Sequence, residues 1–363
     1  MPRESRGNLV FMSTWSELKN NPRLFQIYLE RAHLLRLTRD FFWTRGFVET
    51  DTPVAVRYPG QEPYLNPPAV EISDPQGVGY RFWLQTSPEF AMKNLLAAGF
   101  QKIFQLARCF RNQESFGGRH NPEFTLLEWY RSPGQVAEIM NDTEQLFQYL
   151  AGRLDREKII YNGQEICLSG VWDRVSMKEI WHQYVGVNLD DYLTAEKMAE
   201  LVRARGFSAG SDEPYEDLFY QIFLNAIEPK LGLAKPVFIY DYPAQMCSLS
   251  RLCGHDNRYA ERFELYVGGL ELANGFGELT DAAEQSKRLE EDKNKRQKLG
   301  KEIWPVDPDF IKALETWKIE HGSSMGIKQS GIALGVDRMI LLFTGAKDLN
   351  EVIFGSINDQ INK

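Results

Sequence analysis

Apolar residues recur at helical spacing in several separate stretches of the chain. One such pattern covers residues 23–45 and predicts an amphipathic helix that ends at Gly46. Similar patterns predict further helices over residues 138–154, 195–205 and 216–229. The last two are predicted to form a helical insertion, at about residues 194–235, beside a sheet.

Alternation of apolar and polar residues predicts a pair of strands. Residues 104–111 and 124–130 both alternate, and a polar, glycine-bearing, basic loop joins them. Arg111 stands where the first strand ends, and Glu128 and Tyr130 stand near the end of the second. A sheet would hold these polar groups rigidly on one surface, as a site for a phosphate and a polar small molecule requires. Taken alone, however, a charged hairpin is more often an ordinary solvated surface feature.

A second hairpin is predicted where two apolar-rich runs flank Gly268 and Gly269. If these glycines form a two-residue loop, Tyr266 lies opposite Glu271. Glu264 and Glu271 then share one face as diagonal neighbours, roughly 7–8 Å apart at the backbone. Two carboxylates at that distance can bind one Mg²⁺ together with substrate phosphates. The alternative is a solvated acidic face, but the apolar neighbours of the two acids favour the metal site.

Two helix starts carry polar residues that suit a ligand. An apolar, glycine-punctuated strand over residues 331–335 runs into a helix with Arg338 in its first turn. Since a cation is unfavourable at the positive end of a helix, Arg338 predicts a bound anion such as a nucleotide phosphate. At the other start, Ser87 is predicted as the cap of a helix that has Pro88 in its first turn and Glu89 near its positive end. Helix capping explains Ser87 and Glu89 as well as ligand binding does.

Composition and charge narrow the class of protein. The chain has 363 residues, 43% of them hydrophobic, so it can form one large domain or two smaller ones. The net charge of −8 lacks the overall basic character of a general nucleic-acid binder. No apolar run is long enough to span a bilayer and no leader pattern precedes the fold, so we expect a cytoplasmic protein. Residues 1–22 lack periodicity and are predicted to be a poorly ordered extension of a domain over 23–363.

Cysteine and charge patterns suggest little further chemistry. Cys247, Cys253 and His255 lie close together and could belong to a zinc site, but a fourth ligand is not apparent. Free thiols in a reducing compartment are the simpler interpretation. Residues 281–301 are highly charged and predict a solvated helix.

Three separated blocks of the chain resemble the motifs of class II aminoacyl-tRNA synthetases. The helix over 23–45 with Pro53 resembles motif 1, the hairpin over 104–130 resembles motif 2, and GIALGVDR over 331–338 resembles motif 3. Together with the glutamate hairpin they are most similar to the lysine branch. The resemblance runs from about residue 23 to the C-terminus. It implies an α+β fold, the class II catalytic domain, with an antiparallel sheet flanked by helices and a homodimer formed through motif 1.

The resemblance also implies an activity. Lysyl-tRNA synthetases carry an anticodon-binding domain before motif 1, for which this chain has no room. In this it looks like the elongation factor P–(R)-β-lysine ligase family. These enzymes use ATP and Mg²⁺ to activate (R)-β-lysine as an adenylate, and they transfer it to a lysine side chain of elongation factor P. The alternatives are an enzyme that charges tRNA or another acceptor with lysine, although tRNA binding is not expected, and a regulatory paralogue without turnover.

Residue roles follow from the same resemblance. Arg111, Arg338 and Glu271 would be catalytic, and Glu264 and Glu271 would bind Mg²⁺. The implied ATP contacts are Arg111, Asn112, Gln113, Asn121, Phe124, Glu271, Leu272, Gly335 and Arg338. The implied substrate contacts are Ser87, Glu89, Glu128, Tyr130, Glu278 and Ala333, the last at a position where lysyl-tRNA synthetases typically have glycine.

One departure leaves an ATP contact open. The family usually reads Arg-Asn-Glu, whereas this chain reads Arg111-Asn112-Gln113-Glu114 with a loop one residue longer. Either Gln113 replaces the acid or Glu114 shifts into its place.

Overall fold

The structure is a computed structural model, and it describes residues 15–210, 212–247, 249–321 and 328–361. The helices are α1 (Trp15–Asn20), α2 (Pro22–Trp43), α3 (Glu89–Ala97), α4 (Val136–Arg153), α5 (Met177–Val185), α6 (Ala195–Ala204), α7 (Tyr215–Ile222), α8 (Ala282–Lys298), α9 (Pro308–His321), α10 (Val336–Thr344) and α11 (Ile357–Ile361). The strands are β1 (Val48–Glu49), β2 (Ala55–Val56), β3 (Ala69–Ser73), β4 (Gly79–Leu84), β5 (Lys102–Phe110), β6 (Glu123–Arg131), β7 (Lys158–Tyr161), β8 (Gln164–Cys167), β9 (Asp173–Ser176), β10 (Val237–Pro243), β11 (Tyr259–Val267), β12 (Leu270–Gly277) and β13 (Ser330–Gly335).

An eight-stranded sheet organises the fold, in the order β1-β5-β6-β13-β12-β11-β10-β9. The strands from β5 to β10 pair antiparallel, while the edge strands β1 and β9 pair parallel with their neighbours. The predicted antiparallel sheet flanked by helices is therefore confirmed, with a parallel strand added at each edge. None of the described helices is long and apolar enough to cross a membrane.

Helix α2 begins and ends close to the predicted limits. The Asn21 side chain accepts a hydrogen bond from the Leu24 N–H at 3.1 Å, and Pro22 occupies the first turn, where its missing N–H costs nothing. Gly46 follows the helix with φ +75°, a conformation that glycine adopts without strain. The pattern predicted no element over Trp15–Asn20, where α1 lies; residues 1–14 of the predicted extension lie outside the described residues.

Helices α2, α4 and α10 pack on one face of the main sheet around an aromatic core. The Phe42 ring stacks on Phe104 with 4.7 Å between centroids and lies 5.2 Å from Trp129. Fully burying each such side chain contributes roughly 1.5–3 kcal/mol. Because strand side chains alternate, the neighbours of Trp129, such as Glu128, point to the opposite face.

A buried ion pair joins the three motif-bearing segments. Arg31 of α2 donates to the Asp337 carboxylate of α10 at 2.6 Å, and the other Asp337 oxygen accepts from the Thr125 N–H of β6 at 2.7 Å. Both side chains are almost inaccessible to solvent. The pair therefore sets the position of α10, and of Arg338 on it, relative to the motif 2 hairpin.

Helices α5, α6 and α7 surround a second core against β10 and β11. The rings of Trp181 and Phe219 meet there with 5.0 Å between centroids. The helices predicted over 195–205 and 216–229 are present, the second ending in a π turn and a 3₁₀ turn. That this block is an insertion stays a prediction.

Helix α8 is not simply solvated, contrary to the prediction from its charge. Arg296 is 1% exposed and donates to the carbonyls of Glu62, Leu65 and Glu302. Its guanidinium also lies 4.2 Å from the ring centroid of Trp304. Five donors in a rigid fork can satisfy several carbonyls at once, so this arginine fixes the loop that contains Glu62.

Candidate active site

A cavity of about 520 Å³ opens on the face of the main sheet opposite α2, α4 and α10. That volume lies within the roughly 300–1,000 Å³ typical of small-molecule sites. The predicted site residues that line it are Ser87, Glu89, Arg111, Asn121, Phe124, Glu128, Glu271, Leu272, Ala333, Gly335 and Arg338. Tyr130, Glu264 and Glu278 are buried and stand behind this lining.

One end of the cavity gathers cationic groups. The Arg111 guanidinium lies 5.0 Å from the ring centroid of Phe124. Arg338, in the first turn of α10, donates to the Glu271 carbonyl at 2.7 Å and to the Arg119 carbonyl at 3.3 Å. Two guanidinium groups beside a helix N-terminus form an environment that suits phosphate oxygens.

The motif 2 loop, which has one extra residue, contributes Glu114 but not Gln113 to the cavity wall. Gln113 adopts φ +64° and its side-chain oxygen accepts from Asn66 at 3.0 Å, so Asn112 and Gln113 do not line the cavity. Glu114 does line it, 3.0 Å from His120. The hydrogen bond from His120 is the main reason that the pKa of Glu114 lies below its usual value. Of the two residues, only Glu114 lines the cavity; which of them takes the role of the family acid stays a prediction.

The glutamate hairpin has the predicted turn. Gly268 and Gly269 both have positive φ, +64° and +72°, as a two-residue hairpin loop requires. Tyr266 pairs with Glu271 as predicted, but the next pair along the ladder is Leu265 with Ala273. Residue 272 is therefore an unpaired bulge. Beyond it, Glu264 lies directly opposite Asn274.

The two acids of this hairpin have different surroundings. Glu264 is 2% exposed and accepts hydrogen bonds of 2.5 Å from Tyr242 and Tyr266, and it forms a 2.7 Å ion pair with Arg262. Among the described residues, none donates a hydrogen bond to the Glu271 carboxylate. Burial, followed by repulsion from Glu264, raises the pKa of Glu271 to about 7.

The oxygen atoms around this hairpin fit a hard divalent cation. The Asn274 side-chain oxygen is buried and has no hydrogen-bond partner, and it lies opposite Glu264 on the ladder. The Asn274 and Glu271 side chains thus offer oxygen atoms that accept no hydrogen bond from the described residues. Mg²⁺ prefers such oxygen ligands over nitrogen or sulfur. A bound cation would offset the cost of ionising the buried Glu271 carboxylate.

The raised pKa of Glu271 predicts a pH-dependent magnesium requirement. Below about pH 7 the carboxyl binds a proton, which a Mg²⁺ ion binding there would have to displace. The Mg²⁺ concentration giving half-maximal ATP–pyrophosphate exchange should rise about tenfold between pH 8 and pH 6, measured under saturating substrates. The same concentration at both pH values would contradict proton competition at this carboxylate.

The opposite end of the cavity is acidic. Helix α3 begins at Glu89 without a side-chain cap, so the predicted capping role of Ser87 is wrong and Ser87 lines the cavity instead. Lys93, one turn further, lies 2.6 Å from Glu89 and 2.6 Å from Glu278. Burial alone would lower the pKa of Lys93, but the two carboxylates together raise it. Lys93 is therefore a buried ammonium held between two predicted substrate contacts.

A third carboxylate completes this end. Glu128 is 1% exposed and accepts from the Tyr130 hydroxyl at 2.9 Å, while its second oxygen is buried without a partner. Burial and, next, the nearby charge of Glu89 raise its pKa well above the usual value. Ala333 pairs with Glu128 across β13 and β6. Gly331 leaves room for the Tyr130 ring, because a Cβ there would lie 2.2 Å from it.

Several residues of the site were missed from the sequence. Lys93 lies four residues after Glu89, a spacing that a helical projection could have flagged. Asn274 depends on the bulge at residue 272, for which the sequence gives no clear signal. Glu62 lines the cavity from an irregular loop, and burial, followed by repulsion from Glu89, raises its pKa to about 7.

Comparison with known proteins identifies relatives over nearly the whole chain. Residues 9–356 match the family model of class II tRNA synthetases (D, K and N). A protein of Avibacterium paragallinarum named elongation factor P–(R)-β-lysine ligase is 38% identical over 338 residues, which cover 92% of this chain and 96% of the relative. A protein of the same name from Edwardsiella ictaluri is 40% identical and covers 91% and 94% of the two chains. Another, from Haemophilus influenzae, is 35% identical and covers 92% and 95%.

Proposed function

The chain belongs to the class II tRNA synthetases (D, K and N), and on that premise we propose that it is an elongation factor P–(R)-β-lysine ligase. In this function it activates (R)-β-lysine with ATP, releases pyrophosphate, and passes the acyl group to a lysine side chain of elongation factor P. The names of the similar proteins support the reaction, and the geometry of the cavity supports the type of amino acid.

The balance of charge at the acidic end is the observation that carries this proposal. Glu89, Glu128 and Glu278 supply three carboxyl groups, and Lys93 supplies one ammonium. Two negative charges remain once a bound cationic substrate favours ionisation of all three carboxyls. Lysine and β-lysine each bring two ammonium groups. Burial raises the pKa of Glu278 to about 7, so its ionisation is favoured when a cation binds beside it. An amino acid with no amine in its side chain brings only one ammonium group. It would leave one buried negative charge uncompensated, which disfavours its binding.

The opposite end is proposed to bind ATP and to promote attack at the α-phosphorus. Arg111 would contact the α-phosphate. Arg338, whose helix is positioned by the Arg31–Asp337 ion pair, would contact the γ-phosphate. Phe124 would stack on the adenine, while Asn121, Leu272 and Gly335 line the same cavity.

Glu264, Glu271 and Asn274 would hold Mg²⁺, which would neutralise charge on the phosphates when bound. Tyr242, Tyr266 and Arg262 hold the Glu264 carboxylate in place. Catalysis then rests on fixed position and charge, without a covalent enzyme intermediate.

A homodimer through α2 is part of the proposal. The helix packs with one face on the core and leaves large apolar side chains on the other. Phe25, Leu29 and Trp43 are each about half exposed. Such a surface suits burial against a second copy of the chain.

The acceptor is tested by direct transfer. The enzyme is incubated with ATP, Mg²⁺ and radiolabelled (R)-β-lysine or α-lysine, together with unmodified elongation factor P or total tRNA. We expect label from β-lysine on elongation factor P, and none on a control sample whose lysines have been acetylated. Efficient labelling of tRNA with unmodified elongation factor P would favour the tRNA-charging alternative. Absence of AMP formation with every substrate would favour a regulatory paralogue.

A further inference from the structure

A second group of metal-binding side chains lies at the end of β10, outside the cavity lining. The Cys253 thiol donates to the Asp241 carboxylate at 3.2 Å, and His255 Nε2 lies 3.1 Å from the other carboxylate oxygen. The sulfur, nitrogen and oxygen atoms all lie within 4.8 Å of one another. We propose that Asp241, Cys253 and His255 bind Zn²⁺, with a fourth position open to water.

The distances agree with a tetrahedral zinc site. Zinc binds sulfur at about 2.3 Å, and imidazole nitrogen and carboxylate oxygen at about 2.0–2.2 Å. Tetrahedral angles then place neighbouring ligand atoms roughly 3.3–3.6 Å apart. Cys253 and His255 contact different oxygens of Asp241, at distances a few tenths of an ångström shorter than this. Binding of the ion would require side-chain rotations that bring one Asp241 oxygen, the sulfur and the nitrogen, now within 4.8 Å of one another, to these separations.

The backbone holds two of these ligands, Asp241 and Cys253, before any metal binds. Asp241 has φ +59°, at an irregularity where the pairing of β10 with β11 shifts between Tyr240 and Tyr242. Aspartate tolerates this left-handed conformation better than most residues. The Cys253 N–H donates to the Tyr259 carbonyl at 2.9 Å, which ties its loop to the start of β11. Ligand residues that are already held in place lose less conformational entropy when the metal binds.

The structure changes the ligand set that the sequence suggested. Cys247 is separated from the group, because its sulfur accepts from the Arg288 guanidinium at 2.8 Å. A cation in that position disfavours a second cation. Asp241 replaces Cys247, although it lies on a preceding strand and could not be assigned from spacing. Cys253 and Cys247 therefore form a matched pair of thiols, one inside the proposed site and one outside it.

The ligand types separate this site from the magnesium site. A thiolate and an imidazole select zinc-like ions, whereas the hairpin oxygens suit Mg²⁺. The two sites are nevertheless connected, since Tyr242 follows Asp241 and donates to Glu264. Met246 and Leu249, in the loop between Asp241 and Cys253, line the active cavity. Bound zinc would therefore brace one wall of that cavity.

Cobalt binding to the full chain tests the proposal. The chelator-treated protein is titrated with Co²⁺ in millimolar Mg²⁺, which occupies the hairpin oxygens. We expect a near-ultraviolet thiolate-to-cobalt band, visible bands typical of tetrahedral cobalt, and loss of both when Zn²⁺ is added. Cys253→Ser should abolish the thiolate band, and Asp241→Asn and His255→Ala should each weaken binding at least about tenfold. Cys247→Ser should leave the spectrum unchanged.

A second measurement guards against variants that do not fold. In the unaltered, chelator-treated protein, added Zn²⁺ should remain bound at about one ion per chain after gel filtration in millimolar Mg²⁺, as elemental analysis of the eluted protein can show. Absence of a thiolate band with millimolar Co²⁺, a band that survives Cys253→Ser, or no zinc retained by the unaltered protein would each overturn the proposal.

Discussion

Glu271→Gln is expected to slow adenylate formation by at least about 100-fold, equivalent to about 2.7 kcal/mol of transition-state stabilisation. The substitution keeps the size of the side chain and removes the charge that would bind Mg²⁺. Since no described residue donates a hydrogen bond to this carboxylate, its loss should not disturb the fold. The measurement is ATP–pyrophosphate exchange at saturating ATP, amino acid and Mg²⁺, with thermal unfolding as the check on stability.

Glu228 provides a matched control for Glu271. Its charge also acts on Glu271, yet it does not line the cavity. Glu228→Gln removes a nearby negative charge without removing a ligand, so its exchange rate should remain within about threefold of the original. Equal losses in the two variants would mean that general electrostatics, rather than metal binding, explains the effect. Full activity of Glu271→Gln with an unchanged magnesium requirement would refute the ligand assignment.

Lys93→Met is expected to destabilise the ligand-free protein by about 3–5 kcal/mol, because it leaves the buried Glu278 carboxylate and the partly buried Glu89 carboxylate without their shared ammonium. Methionine matches the length of the lysine stem, so the lost charge dominates over any lost packing. Denaturant unfolding at pH 8 measures the difference.

The pH dependence of this variant distinguishes charge from packing. Burial raises the pKa of the Glu278 carboxyl and Lys93 lowers it, so without Lys93 that pKa rises further and the folded form takes up a proton that the unfolded form does not bind. The destabilisation should therefore be largest at pH 8 and should shrink as pH falls toward 5.5. The double variant Lys93→Met/Glu278→Gln should recover much of the lost stability at pH 8. A loss that is independent of pH and unchanged in the double variant would indicate packing alone.

The local pattern of apolar and polar residues was sufficient to predict the main helices and strands and the order of the site residues along them. The apolar spacing in 23–45 and the alternation around Arg111 predicted α2 and the β5–β6 hairpin, because each element is dictated by its own residues. The glycine pair at 268–269 likewise predicted its turn and the first pairs of the ladder. The family resemblance then supplied the roles, which remain predictions for the individual residues.

The features that the sequence did not reveal depend on contacts between distant segments. The burial of Arg296 requires the carbonyls of the loop that contains Glu62, far away in the chain. The replacement of Cys247 by Asp241 in the metal-binding group depends on the irregularity in β10. The position of Glu114, and not Gln113, on the cavity wall depends on how a longer loop closes. No short-range pattern encodes any of these.

The bulge at residue 272 has a consequence for how one strand can serve two substrates. Glu271 and Glu278 are seven positions apart, an odd interval that would send them to opposite faces of a regular strand. The unpaired residue changes the phase of the alternation, so Asn274, Phe276 and Glu278 return to the side of Glu271. A single backbone irregularity thus keeps the proposed metal ligand and the proposed substrate acid on the same side of the sheet. A substitution that straightened it would leave Glu271 in place and turn Glu278 away, so in the proposed function we expect it to uncouple ATP binding from amino-acid binding without removing either set of side chains.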